Sequence, residues 1–375
     1  MSLQNKIRFR ADHVGSLLRP DALKQARARL IDSGELSSLN LADSENAAIV
    51  EAVKMQHEAG LKIVTDGEYR RTFWHYDFMN GLDGLEVVER LGTAGLQFSG
   101  AAIRPFFPTI TDTIDFPVDH PMLDHYRFLA SISDGPAKIS IPGPSACHFR
   151  TAKADISPAK YADQQVLLGD IAATYAKAVQ AFYDAGCRYL QLDDIFFAYL
   201  CDEKQRELKR SEGFDPDQLI VDYAETLESA ISSRPDDMTI AMHMCRGNFQ
   251  STWVAQGGYD PAADAIFNNT SVDVYFMEYD SERAGGLELL RLLPKGDKRI
   301  MAGFITTKTA ELESIDDLRK RFDEAAQYVD MSQLGIAPQC GFASTEEGNK
   351  IGEGEQRAKL ELVVEVAEQL WGGVV

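Results

Sequence analysis

The sequence predicts a (β/α)8 barrel, an α/β fold of the TIM-barrel type, with a β-rich insertion between its second and third strands. Three observations carry that prediction. Hydrophobic periodicity switches repeatedly between short β-rich runs and long amphipathic segments, the pattern of a parallel α/β fold. The short runs number eight, the strand count of a closed barrel. No G-x-G-x-x-G follows a strand and no G-x-x-x-x-G-K-[ST] occurs, so the doubly wound nucleotide-binding sheets that share this alternation lose support.

Taken in order, strands are expected at Phe9–Ser16, Leu61–Asp66, Ala137–Pro142, Cys187–Asp193, Met238–His243, Val272–Glu278, Arg299–Phe304 and Gln333–Pro338. Between them, Ser157-Pro-Ala-Lys, Asp215-Pro-Asp, Asp260-Pro-Ala-Ala and Ser314-Ile-Asp-Asp each offer a helix N-cap, several with proline at the first helical position. Gly60 and Gly186 follow apolar helices and precede strands, where a left-handed C-cap is expected. The longest interval lies between the second and third strands. Within it, Leu82-Asp-Gly-Leu-Glu-Val-Val-Glu-Arg and Ala101-Ala-Ile-Arg-Pro-Phe-Phe-Pro-Thr-Ile read as a hairpin flap over the barrel mouth, so residues 82–135 are expected to form the insertion. Ordered insertions of this length are usually functional. With no repeats, low-complexity tracts or linker, residues 1–375 are expected to form a single catalytic domain.

Composition narrows the partners. The formal net charge of -20 disfavours nucleic-acid backbones and anionic membranes, both of which reward a basic surface; small molecules are the expected ligands. The opening residues lack the apolar core of a signal peptide, and no run approaches a membrane span. A soluble, cytoplasmic protein is expected. Five cysteines, an odd number spread through a long chain, fit reduced thiols or metal ligands better than a disulfide framework.

The chemistry gathers where barrel enzymes keep it, at the C-terminal ends of the strands. Strand one ends in Val14-Gly-Ser16, strand two in Asp66-Gly-Glu68, strand four in Asp193-Asp194, strand five in His243-Met-Cys245, strand six in Glu278 and strand eight in Gln339-Cys340-Gly341. His243 and Cys245 stand two apart on an extended strand and so face the same side. With Glu278 and Cys340 they make a plausible four-ligand zinc site, assembled from three strands and therefore catalytic in type. The bland readings are a packed Cys340, a surface Glu278 and helix-capping Asp193 and Asp194; the joint occurrence at so many strand ends argues against them.

These motifs together resemble the catalytic C-terminal barrel of cobalamin-independent methionine synthase, from about Phe9 to the C-terminus. The resemblance implies zinc ligation by His243, Cys245, Glu278 and Cys340. It implies that Ser16, Glu68 and Asp193 hold the amino-acid end of homocysteine, with Asp194 and Arg71 also at the substrate. The implied reaction is methyl transfer to the homocysteine thiol to form methionine, from 5-methyltetrahydrofolate in mono- or polyglutamate form.

The chain departs from the family in three ways. It lacks the second, N-terminal barrel of full-length members and so resembles the shorter core-type relatives. Arg150, in Pro142-Gly-Pro-Ser-Ala-Cys-His-Phe-Arg150, stands where the family has a tryptophan that stacks on folate. Lys308 stands where the family has a proton-donating histidine, and becomes the expected catalytic proton donor alongside Asp193. Arg70, Trp74 and His75 are expected either to line the donor pocket or to form a partly buried helix start.

Two other readings compete. A related zinc alkyltransferase would use coenzyme M or a corrinoid, and the carboxylates of Glu68 and Asp193 argue for an amino-acid thiol instead. A barrel glycosidase would use two of Asp193, Asp194 and Glu278, but leaves His243, Cys245 and Cys340 unexplained.

Overall fold

Six of the eight expected strands form one parallel sheet in chain order, each beside the next: Ile139–Pro142, Tyr189–Asp193, Thr239–Met244, Val274–Glu278, Arg299–Ile305 and Leu334–Pro338. The computed structural model describes residues 6–30, 38–90, 97–98, 101–102 and 104–375. Apart from Arg299 every residue of these six strands is buried, as expected of parallel strands covered on both faces. The register sets Asp193 beside His243 and Glu278 beside Gly303, which brings the polar strand ends to one rim.

The first two expected strands pair more briefly. Ala11 bridges Ile336 at one edge of the sheet and Val64 bridges Ala137 at the other. Their ladders are short: Asp12 N–H to Ile336 O at 3.2 Å, Ile336 N–H to Arg10 O at 2.7 Å, and Lys138 N–H to Val64 O at 2.9 Å. Pro136 has no N–H to lengthen the second ladder. The two segments meet through Leu17 N–H to Gly67 O at 3.0 Å and through the Thr65 hydroxyl to Gly15 O at 2.6 Å. Eight parallel segments therefore follow one another in barrel order, six as full strands and two as bridges. At the opposite end of the chain, Val374 O accepts the N–H groups of both Arg10 at 2.8 Å and Ala11 at 3.3 Å.

Inside the ring pack Phe9, Val14, Ile63, Tyr189, Val274, Phe276 and Met301. Among them lies a fully buried ion pair, Lys138 Nζ to Asp12 Oδ1 at 2.8 Å. The Tyr189 hydroxyl donates to the other Asp12 oxygen at 2.9 Å, and the Lys138 ammonium sits 4.4 Å from the Phe276 ring centroid. The second apolar core fills the space between barrel and helices.

Helix starts follow local chemistry with two corrections. Asp215 caps Pro216–Ile231 and Ser314 caps Ile315–Ala325 through their side chains, as expected. Ser157 starts no helix: its N–H is tied to Ile110 O at 2.8 Å, which pins the segment to the insertion, and the helix begins at Gln164 under an Asp163 cap. Asp260 is the first residue of Asp260–Asn268 rather than its cap. Gly60 and Gly186 take positive φ, 94° and 99°, at the helix ends where the sequence puts them.

The interval between the second and third barrel segments carries an antiparallel pair, Asp83–Glu89 with Phe106–Asp115, and a short pairing of Gln97–Phe98 with Ala101–Ala102. It is not β-rich to its end. Pro121–Ile132 is a helix, with proline at its first position and the His120 ring accepting Met122 N–H. Residues 91–96, 99–100 and 103 of the expected insertion, and residues 1–5, lie outside the described residues. The hairpin rests on the barrel mouth: Phe106 packs on Phe73 with ring centroids 5.5 Å apart, and Phe106 O accepts the Tyr76 hydroxyl at 3.0 Å. Among the described residues no helix is long and apolar enough to cross a membrane.

Candidate active site

Three of the four expected metal ligands come together. The Thr239–Met244 strand delivers His243 and, one residue past its end, Cys245; the turn after Leu334–Pro338 delivers Cys340. Their ligand atoms all lie within 4.8 Å of one another, and all three residues are buried. Neither ring nitrogen of His243 has a hydrogen-bond partner, which is unusual for a buried imidazole and suits a ligand. One nitrogen and two sulfurs are the donor set zinc prefers, so the residues fit that metal. The Cys245 hydrogen bond is the largest influence on the Cys340 thiol; with His243 it outweighs burial and holds Cys340 well below the usual thiol range, while Cys245 is pushed up by the same bond and by burial.

Glu278 stands apart from that group. Its Oε1 is ion-paired with the Arg283 guanidinium and lies 3.8 Å from Lys308 Nζ, while Oε2 accepts the Arg246 N–H at 3.0 Å. Burial opposes its charge, but Lys308, Arg283 and Arg246 prevail and hold the carboxyl at about 2. Cations and a backbone N–H thus surround this carboxylate, and it lies outside the group of ligand atoms within 4.8 Å of one another. Lys308, expected as a proton donor, is not on the wall of the cavity beside the metal-competent group; its Nζ is buried beside Glu278 with no hydrogen bond of its own.

That cavity, about 710 Å³ of empty space partly open to solvent, gathers the expected substrate residues Ser16, Glu68 and Asp193 beside His243, Cys245 and Cys340. Glu68 is held in a left-handed backbone conformation, φ 60°, a strain typical of functional positions. Its Oε1 accepts the Ser140 hydroxyl at 3.0 Å, whereas Oε2 has no hydrogen bond. Burial raises the Glu68 carboxyl, offset in part by Arg71 and Arg19. Asp193 accepts Gln191 Nε2 at 2.7 Å, and burial, against the pull of His243, lifts it to about 7. Ser16 accepts the Ala343 N–H at 3.3 Å. Gly341 packs so closely that a Cβ there would lie 1.9 Å from Ser16 Oγ, so the backbone approach at this corner requires glycine.

Two residues expected at the substrate lie behind the wall. Arg71 donates to Ser140 O and stands 3.6 Å from Glu68 Oε2, which makes it a brace for Glu68. Asp194 turns to the Ser145 hydroxyl, its N–H going to His243 O at 2.9 Å. Arg70 is likewise off the cavity, paired with Glu45.

The far wall is aromatic. Trp74 stacks on His75 at 4.3 Å, His75 lies 3.7 Å from Tyr76, and Phe196 is 6.4 Å from Trp74. Trp74 and His75 thus line the pocket, as one of the two sequence readings has it, with Arg150 beside them. The sequence reading misses Tyr76, Phe196, Tyr199 and Asn248. Phe196 and Tyr199 lie in the short helix just after Asp193-Asp194, a position that could have marked them; alone, aromatic residues there read as core.

A barrel with imidazole, thiols and carboxylates converging at the C-terminal ends of its strands defines an enzyme of the barrel class, its chemistry seated where that fold carries it. The chain belongs to the cobalamin-independent synthase family, whose catalytic-domain model matches residues 10–369, and it is accordingly a methyltransferase of the methionine synthase type. It is 46% identical to the uncharacterized Bacillus subtilis protein YxjH over 98% of this chain and 96% of that protein. The solved structure of a Listeria monocytogenes protein described as a candidate vitamin-B12-independent methionine synthase superposes with a TM-score of 0.77 at 38% identity, covering 98% of this chain and 99% of that one. The 5-methyltetrahydropteroyltriglutamate–homocysteine methyltransferase of Bacillus velezensis is 24% identical over 86% of this chain, which matches 38% of that longer protein.

Proposed function

We propose that this enzyme moves a methyl group from a reduced folate to the thiol of homocysteine, forming methionine, with zinc held by His243, Cys245 and Cys340. The observation that carries the reading is the convergence of those three residues with Ser16, Glu68 and Asp193 on one cavity. Zinc bound there would supply acidity, because a thiol on the metal is deprotonated at neutral pH. Three protein ligands leave a position for the substrate's sulfur.

This chain's residues do the rest. Glu68 Oε2 and the Asp193 carboxylate face the cavity as acceptors for an ammonium, whose arrival favours the ionised form of both. The Ser16 hydroxyl is free to donate to the carboxylate. Held so, the substrate sulfur attacks the methyl carbon in line: the S–C bond forms, the C–N bond breaks, and the electron pair stays on the donor nitrogen, which takes a proton. Positioning of this kind supplies much of the rate. Lys308 lies behind Glu278, so we assign it to balancing that carboxylate rather than to delivering the proton. The aromatic wall suits a flat donor ring, and the name of the Bacillus velezensis relative supports a folate.

Elemental analysis is expected to find close to one zinc per chain, and a methyl-transfer assay is expected to produce methionine from homocysteine and 5-methyltetrahydrofolate or its triglutamate. Protein free of metal and unresponsive to zinc would remove the basis of the reading. Tighter calorimetric binding of coenzyme M than of homocysteine would favour the other thiol.

A further inference from the structure

Among the residues on the cavity wall, Arg150 alone carries a fixed positive charge. One arm of its guanidinium donates to the Tyr76 hydroxyl, and its Cζ lies 5.6 Å from the Tyr76 ring centroid. No described carboxylate pairs with it; the groups acting on its charge are Tyr76 and Tyr199. Its Nε is buried and unpartnered. Arg19 and Arg246 show what a purely structural buried arginine looks like here. Arg19 donates to the carbonyls of Ala343, Thr345, Glu68 and Arg71, and Arg246 to those of Gly257 and Ala284. Both terminal nitrogens of each are taken up by backbone acceptors. Arg150 has a phenol and an open side.

Trp74 and His75, stacked on each other, line the same cavity as Arg150, and burial, with the charge of Arg150 adding to it, keeps His75 well below the usual imidazole range. Tyr199, Cys245 and Cys340 line the same cavity as Arg150, so a flat ring lying there would share it with both the guanidinium and the sulfurs.

We propose that Arg150 is the specificity residue for the methyl donor, and that it hydrogen-bonds an electron-rich ring oxygen, of the carbonyl or lactam kind, on a flat heterocycle lying along Trp74 and His75. This rests on the methyl-transfer reading above and sharpens it. A guanidinium presents two parallel donors to such an oxygen and its neighbouring ring nitrogen, a recognition that stacking alone does not supply.

The test is calorimetric titration of the zinc-loaded full chain, as wild type, Arg150→Met and Arg150→Lys. Three probes are used: 5-methyltetrahydrofolate, 6-methyltetrahydropterin as ring alone, and 4-aminobenzoylglutamate as tail alone. Arg150→Met is expected to weaken the whole folate and the ring by about tenfold or more, the worth of a charged hydrogen bond, and Arg150→Lys by less. Tail binding, homocysteine binding and zinc content are expected to stay unchanged, which also shows that the variants fold. Unchanged ring binding, a loss confined to the tail, an equal loss for homocysteine, or a wild type that binds no pterin would each overturn the proposal. Loss of zinc and homocysteine binding by the wild type would instead sink the reading beneath it.

Discussion

Glu278 and Arg283 form a buried ion pair beside the His243–Cys245–Cys340 group, so the one carboxylate expected among the metal ligands has its charge answered by protein. Lys308 at 3.8 Å and the Arg246 N–H complete its surroundings. A ligand already satisfied in this way adds little when metal arrives, because each new bond to it replaces an existing one.

Zinc affinity should divide along that line. Cys245→Ala and Cys340→Ala are expected to lower it by well over about a hundredfold, and Glu278→Gln by about 10- to 100-fold, the scale of residues that only tune a metal site. Competition with a chromophoric chelator measures both, and equal losses for all three would return Glu278 to the ligand set.

The two cavity carboxylates should act on one substrate only. Glu68→Gln and Asp193→Asn are expected to raise the KM for homocysteine by about 10- to 100-fold, as loss of a charged hydrogen bond does, with zinc content unchanged. Arg71→Met, which removes the brace on Glu68, should raise it by less. If the KM of the methyl donor moved instead, the assignment of this end of the cavity would be reversed.

Acid should weaken the fold through His148. Its ring pairs with the Tyr223 hydroxyl at 2.8 Å, and burial first, then Lys209, lowers the imidazole from 6.5 to about 4. The sign follows from linkage: its contribution is fully present above about pH 6.5 and is lost as pH falls from there through 4, because only the unfolded chain takes up the proton readily. The loss is on the order of 3 kcal/mol. Urea denaturation of wild type and His148→Phe across pH 7 to 4 reads it; identical slopes would show that His148 does not carry the effect.

Breaking the pair inside the barrel should cost more than removing it. Lys138→Met leaves Asp12 charged and unpaired, for an expected loss of about 3–5 kcal/mol, while Lys138→Met with Asp12→Leu should recover much of it. Denaturant midpoints measure the difference, and a double variant no better than the single one would contradict the argument.

Most of the barrel was legible because its strands are continuous apolar runs, and the six central ones appear within two residues of their expected ends. The first two fall short of full strands, since hydrophobic pattern reports burial and not how many ladder bonds a segment finds. His243, Cys245 and Cys340 could be placed from strand ends alone. Glu278 could not: its strand end puts it at the rim, but its preference for Arg283, five residues on, depends on how the Glu282–Ala284 turn folds back. Asp194 and Arg71 show the same limit, since a polar residue at a strand end can face the cavity or brace a neighbour that does. Ser157 misled because its N-cap chemistry is genuine while its N–H is claimed by Ile110 from the distant hairpin.

The bonds from Arg10 and Ala11 to Val374 O bear on how the chain folds. On one side the first segment meets a near neighbour in sequence, Gly15 and Leu17 against Thr65 and Gly67. On its other side it pairs with Leu334–Pro338 and Val374, far along the chain. That side is a long-range closure, so its seam should form late in folding, and until it does the sheet keeps an edge open to other chains.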